Sequence, residues 1–166
     1  MPQTYRSTQG NTPLISTVIS GLKSPVLKIK FSNVVTPYYY PNSPRVPRYS
    51  ITGVFDRDEE KEFLETIQKI EQRESVDSIM KCETENIDGK KCINAKKILI
   101  KFQAKDPIPV FQSVESKIEV IELEDELSRG ESVQVEFDVL RYTKRHTAEE
   151  KKHALSFKPS KVWLLR

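Results

Sequence analysis

The sequence has little of what most enzyme active sites are built from. Five glycines in 166 residues leave scant room for a phosphate-cradling loop, and neither G-x-G-x-x-G nor G-x-x-x-x-G-K-[ST] occurs. H-E-x-x-H and G-x-S-x-G are missing as well. The only two histidines, His146 and His153, lie in a charged stretch far from any nucleophile in sequence, where a solvated loop is their ordinary setting. The only two cysteines, Cys82 and Cys92, are too few for a disulfide framework and read as reduced thiols. Together these four residues could ligate zinc, but a structural zinc site uses close-spaced ligand pairs, which this spacing does not supply. Carboxylates are plentiful, though nothing separates a paired-acid site from helix surface. No catalytic residue, metal or cofactor is therefore expected, and the protein reads as a non-enzyme. No run approaches the ~18 apolar residues of a membrane span. Met1 to Asn11 is polar and lacks the apolar core of a secretory signal. The expected location is the cytoplasm, the host's if the protein is viral, with no membrane partner.

What the sequence does contain is segregated charge. The net charge is only +3, yet residues 1–55 carry six bases and no acid. Residues 56–91 carry twelve acids against seven bases, and residues 113–138 nine acids against two. The stretch from Val139 to Arg166 returns to eight bases against Glu149 and Glu150. A fold that brings the two acid-poor terminal blocks together would present one strongly positive face.

The length suits one domain, with Met1–Gly21 a polar, flexible arm and residues 22–166 the folded unit. Leu27, Ile29 and Phe31 alternate with Lys28, Lys30 and Ser32, the period of a half-buried strand. Thr36 to Arg48 holds four prolines and three consecutive tyrosines, which predicts a stiff extended loop outside the sheet interior. In it at most two of Tyr38, Tyr39 and Tyr40 share a face, and the third is expected to pack inward. Arg48–Phe55 resumes strand alternation, with Gly53 marking a bulge or close approach. Asp56 or Asp58 can cap a helix whose apolar positions are Phe63, Leu64, Ile67 and Ile70, ending near Arg73. Ser75–Cys92 reads as a short helix or turn plus a connecting loop around Asp88-Gly89. Further strands are expected over Ala95–Ala104, Ile118–Leu123, Val133–Tyr142, Leu155–Phe157 and Val162–Leu165, the last two separated at Lys158-Pro159-Ser160. With no internal repeat of about 20–50 residues, a solenoid is excluded. The predicted class is all-β, β-rich with one or two helices, most simply a barrel with a packed helix.

Single-stranded nucleic acid requires cations for its phosphates and flat rings for its unstacked bases. Both lie together in Tyr38-Tyr39-Tyr40 followed by Arg45, Arg48 and Tyr49, and again in Arg141, Tyr142, Lys144 and Arg145. Lys28 and Lys30, then Lys97 and Lys101, form basic outer faces on separate strands. Each element has an ordinary structural explanation, since tyrosine is commonly half-buried core, strand lysines commonly make a wet face, and Trp163 suits core or a subunit interface. The recurrence of the pattern on three strands favours a binding surface.

These residues resemble the single-stranded DNA-binding proteins of bacteriophages that use one OB-fold. The resemblance is carried by Lys28-Ile29-Lys30-Phe31-Ser32-Asn33-Val34-Val35, the Pro and Tyr loop, and Pro47-Arg48-Tyr49-Ser50-Ile51. It continues in the helix after Phe55-Asp56-Arg57-Asp58, the turn Arg129-Gly130-Glu131-Ser132-Val133, and the closing Leu155 to Leu165. It implies an OB-fold-like five-stranded barrel with a helix between early strands. It also implies a protein that coats single-stranded DNA with little sequence preference in viral replication, recombination or repair. Phosphate contacts would come from Lys28, Lys30, Arg45, Arg48, Lys97, Lys101, Lys144 and Arg145, and base stacking from Tyr38, Tyr40, Tyr49 and Tyr142. RNA could use the same rings and cations. Family members often end in an acidic tail that recruits replication proteins, whereas this sequence ends in Lys161-Val162-Trp163-Leu164-Leu165-Arg166. The acidic segments Asp58–Glu74 and Glu122–Glu126 are the surfaces left for such partners, and a homo-oligomer is compatible with the sequence. The alternative is a non-enzymatic β-barrel protein for protein interaction or virion assembly, whose Tyr and Pro loop docks another protein.

Overall fold

A computed structural model of the chain describes residues 14–114, 117–145 and 151–165. In chain order the elements are β1 (Leu14–Lys23), β2 (Leu27–Tyr40), β3 (Ser43–Asp56), α1 (Lys61–Glu74), β4 (Lys81–Ile87), β5 (Lys90–Ala104), β6 (Val110–Val114), β7 (Lys117–Ile121), β8 (Ser132–Arg145) and β9 (Lys151–Leu165). They form one sheet in the order β4-β5-β3-β2-β8-β9-β6-β7, with β1 also paired to β8. Every pairing is antiparallel except β6 with β9, so the sheet is mixed. The class is β-rich with a single described helix, as expected. Among the described residues nine strands stand where a five-stranded barrel was expected, and β5 and β9 share no ladder. They meet through side chains instead, with the Phe102 and Phe157 rings 6.0 Å apart. No described helix is long and apolar enough to cross a membrane.

The core follows from strand alternation. Ile51 and Phe55 on β3, Ile98, Ile100 and Phe102 on β5, Val133, Val135, Phe137 and Val139 on β8, and Leu155, Phe157, Val162 and Leu164 on β9 are all buried. Phe137 sits at its centre, with the rings of Phe102 and Phe157 at 5.0 and 5.2 Å. Gly53 is a close approach, because a Cβ there would lie 2.7 Å from Leu27 Cβ. The helix lays Ile67 and Ile70 on this core and places the Phe63 ring against Phe55 and Phe137.

The helix start differs from expectation. The N-cap is Glu60, which makes no side-chain cap bond. Asp56 Oδ1 instead accepts the backbone N–H groups of Asp58 and Glu59 at 2.9 and 3.3 Å, closing the preceding turn. The Asp58 bond, with smaller help from Glu59 and Lys97, holds the Asp56 carboxyl below its usual range against a partial burial cost. The helix ends at Ser75, whose left-handed backbone (φ 56°) donates to the Gln72 and Glu71 carbonyls. Glu71 is buried and accepts the Ile79 N–H at 2.9 Å, tying the following loop to the helix.

Four other expectations change. Residues 1–13 of the predicted arm lie outside the described residues, and Leu14–Lys23 form β1, paired with β8 through two register shifts. The loop predicted over Ser75–Cys92 contains β4, joined to β5 through Asp88 and Gly89 at φ 50° and 78°. Ile87 and Ile93 there are exposed, so no hydrophobic period marks this hairpin. The two predicted final strands are one, because a register shift opposite Glu136 and Phe137 absorbs Pro159 without ending β9. β6 was not anticipated, having too few alternating residues to stand out.

Candidate nucleic-acid interface

The site begins at an irregularity in β2. Leu27 and Ile29 point inward, and simple alternation would put Phe31 beside them. The β2–β3 register instead shifts between Ile29 and Phe31, leaving Phe31 opposite Thr52 and 59% exposed. The extra residue reverses the parity and turns the phenyl ring out of the core.

A larger shift separates the Asn33↔Ser50 and Tyr38↔Arg48 pairs. Across this gap the β2 amides lose their β3 partners, and Glu126 replaces them. Its carboxylate accepts the Val34 N–H at 3.1 Å and the Val35 N–H at 2.6 Å. Beyond this point the segment predicted as a loop is a two-stranded ribbon that turns at Pro41-Asn42. β3 gains β5 as a second neighbour only from Tyr49 onward. Pro44 and Pro47 therefore lie outside the sheet interior, on a stretch of β3 whose one ladder among the described residues, with β2, is itself irregular between the Tyr40↔Ser43 and Tyr38↔Arg48 pairs.

Alternation on this ribbon brings Tyr38, Tyr40 and Arg48 to one face. The two tyrosine rings meet edge to face at 5.1 Å, and the Arg48 guanidinium lies 5.7 Å from the Tyr40 ring centroid. Arg48 Nε is buried with no hydrogen-bond partner. Tyr39 points the other way but is 48% exposed rather than packed inward, because nothing covers the ribbon's opposite face.

These side chains open into a cleft of about 380 Å³ that continues over Phe31, Thr52, Lys101 and Gln103. The same four residues line a second cleft of about 450 Å³, which runs along the β5–β9 seam past Lys81, Leu99, Tyr142, Leu155 and Phe157. The result is one continuous groove from ribbon tip to seam. Arg48, Lys81 and Lys101 are its cations, and no Asp or Glu is among the described residues lining it.

Of the sequence-predicted site residues, Tyr38, Tyr40, Arg48, Lys101 and Tyr142 line this groove. Arg45 is exposed near the ribbon tip. Lys28 is on the outer face and donates from Nζ to Ser132 Oγ at 2.7 Å. Lys30 is engaged by Glu83 at 3.4 Å, its side chain only 14% exposed. Lys97 pairs with Asp56 at 3.7 Å, away from the groove. Tyr49 has the opposite parity from Arg48 and packs on the core edge, opposite Ala104. The side chains of Lys144 and Arg145 lie outside the described residues. Sequence reasoning missed Phe31, whose alternation pointed inward, and Lys81, whose strand gave no periodic signal.

No protein-family model matches the sequence, and no curated protein matches it. Solved structures do. The single-stranded DNA-binding protein from bacteriophage Enc34, in complex with ssDNA, matches with a TM-score of 0.56 at 14% identity, covering 96% of this chain and 88% of that one. This chain shares its fold with phage single-stranded DNA-binding proteins. A C-terminal truncation of the Enc34 protein matches at a TM-score of 0.51, with 14% identity and coverages of 96% and 87%. The bacteriophage T7 single-stranded DNA-binding protein gp2.5 matches at 0.52, with 12% identity over 87% of this chain and 91% of that one.

Proposed function

We propose that this protein binds single-stranded DNA along the groove from the Tyr38/Tyr40 ribbon to the β5–β9 seam, without enzymatic activity and with little sequence preference. The role is that of a coating protein in phage replication, recombination or repair. The observation that carries the reading is the groove itself, in which exposed rings alternate with cations and no carboxylate intervenes among the described lining residues. Its support is the shared fold with a phage protein solved in complex with ssDNA. Phe31, Tyr38, Tyr40 and Tyr142 supply stacking faces, which every base can use, so discrimination between bases is weak. Arg48, Lys81 and Lys101 supply phosphate contacts along the floor, and Arg45, exposed near the ribbon tip, extends the positive track. Lys144 and Arg145 remain phosphate contacts proposed from the sequence alone. Lys28, Lys30 and Lys97 act at longer range, since each already has a protein partner. Tyr49 supports the core beneath Arg48 in place of a stacking role.

Titrating a fluorescent oligo-dT at several salt concentrations tests this. Binding that weakens with salt along a log–log line, at a slope near −0.7 for each phosphate neutralised, is the expected result. No binding at low salt, or affinity indifferent to salt, rejects it. Parallel titrations with oligo-U and with duplex DNA separate a DNA preference from general polyanion binding.

A further inference from the structure

At the end of the sheet order opposite β4, β7 is the outermost strand and pairs only with β6 among the described residues. Its other edge has no strand partner among the described residues and offers a row of backbone donors and acceptors. Such edges are commonly protected by charge, and β7 carries Lys117 and Glu119. These two have opposite signs and sit two residues apart, which leaves self-pairing allowed in one register. Ile118 and Val120 alternate with them and are 63% and 64% exposed. Val120 lies opposite Phe111, which lies opposite Trp163 on β9, with the two rings 5.0 Å apart. The outer face of this corner is therefore an apolar row reaching the sheet edge.

We infer that β7 is a homodimer interface in which the strands of two copies pair antiparallel about a two-fold axis at Ile118. In this register Ile118 faces Ile118 of the second copy, and Lys117 faces Glu119 of the second copy. Symmetry repeats the ion pair on the other side of the axis. Centring the axis on Glu119 would instead oppose two carboxylates. Shifting by half a step would place the apolar row of one copy against the charged row of the other. Only the Ile118-centred register satisfies both faces, so the fitting partner is a second copy of this chain. The paired sheets would set the Ile118, Val120, Phe111 and Trp163 rows of both copies side by side. The ladder is five residues long, so the dimer is weak and concentration-dependent.

The inference is independent of the DNA reading and is tested without nucleic acid, by sedimentation velocity of the full chain over roughly 1–200 μM, a span suited to weak dimers. Wild type should move from monomer to dimer across that range. Lys117→Glu opposes Glu to Glu and Glu119→Lys opposes Lys to Lys. Each should weaken dimerisation roughly tenfold, with unchanged circular dichroism because both side chains are exposed. An equimolar mixture of the two variants should recover a heterodimer, and the double variant K117E/E119K should recover the homodimer. A wild type that stays monomeric throughout overturns the proposal. So do single variants that dimerise as wild type does, or a mixture and double variant that fail to recover.

Discussion

Phe31→Ala separates binding from folding more cleanly than any other single change. The ring is 59% exposed, so folding buries only about two-fifths of it. Scaling the ~1.5–3 kcal/mol of a fully buried apolar side chain gives a stability loss of about 0.6–1.2 kcal/mol. In a chain of this size that corresponds to a fall in Tm of less than about 5 °C. In the proposed complex the same ring stacks on a base, which is worth about 1–3 kcal/mol. The affinity for oligo-dT should then drop roughly 5- to 140-fold, at 1.4 kcal/mol per decade. Because the ring carries no charge, the slope of log K against log salt should not change. Fluorescence anisotropy at four or more salt concentrations, with a thermal melt of the same sample, reads all three quantities. The reasoning fails if affinity stays within twofold of wild type. It also fails if the salt slope changes along with it, which would mean the ring acts by positioning cations, Lys30 Nζ lying 5.8 Å from its centroid.

Lys101→Gln should show the complementary signature, a salt slope smaller by about 0.7 with little change in Tm, because Lys101 is exposed and makes no ion pair among the described residues. Gly53→Ala should destabilise the fold by about 1–3 kcal/mol in chemical denaturation, since the new methyl would sit 2.7 Å from Leu27 Cβ in a closely packed core. Burial raises the Glu71 carboxyl above its usual 4.5, opposed by hydrogen bonds from the Ile79 N–H and the Ser78 hydroxyl. The folded state thus holds this proton more tightly than the unfolded state does, and its contribution to stability falls as pH rises between the usual and the raised value. Glu71→Gln, which keeps an acceptor for Ile79, should gain stability relative to wild type at neutral pH and lose that gain on acidification through this window. A variant that loses ground to wild type as pH rises would refute the assignment. Glu126→Ala should cost about 1–3 kcal/mol by stripping Val34 and Val35 of their acceptor, and should weaken oligo-dT binding by loosening the root of the ribbon.

Local order in the sequence was enough for the interior. The alternation in Ile98, Ile100 and Phe102, the helical spacing of Phe63 through Ile70, and the Asp88-Gly89 turn each record a contact with core or solvent within a few residues, so each could be read directly. Where both faces meet water, as in β4, or where a strand is very short, as in β6, no hydrophobic period exists to read. Tyr38, Tyr40 and Arg48 were legible as a binding cluster because they are neighbours in the chain. Their union with Lys101 and Tyr142 required strands distant in sequence to be laid side by side.

Two decisions belonged to tertiary structure alone. A single extra residue in β2 reversed the facing of Phe31, and no count of apolar positions can see a bulge whose existence depends on the β3 register. The partners of Lys30, Lys97 and Lys28 were likewise set across the sheet, by Glu83, Asp56 and Ser132. Composition fixed how many cations this chain carries, and the sequence keeps acids out of residues 1–55. Folding determined which of those cations remain available in the groove, because a charge is neutralised by whatever the fold places within a few ångströms of it and not by its neighbours in sequence.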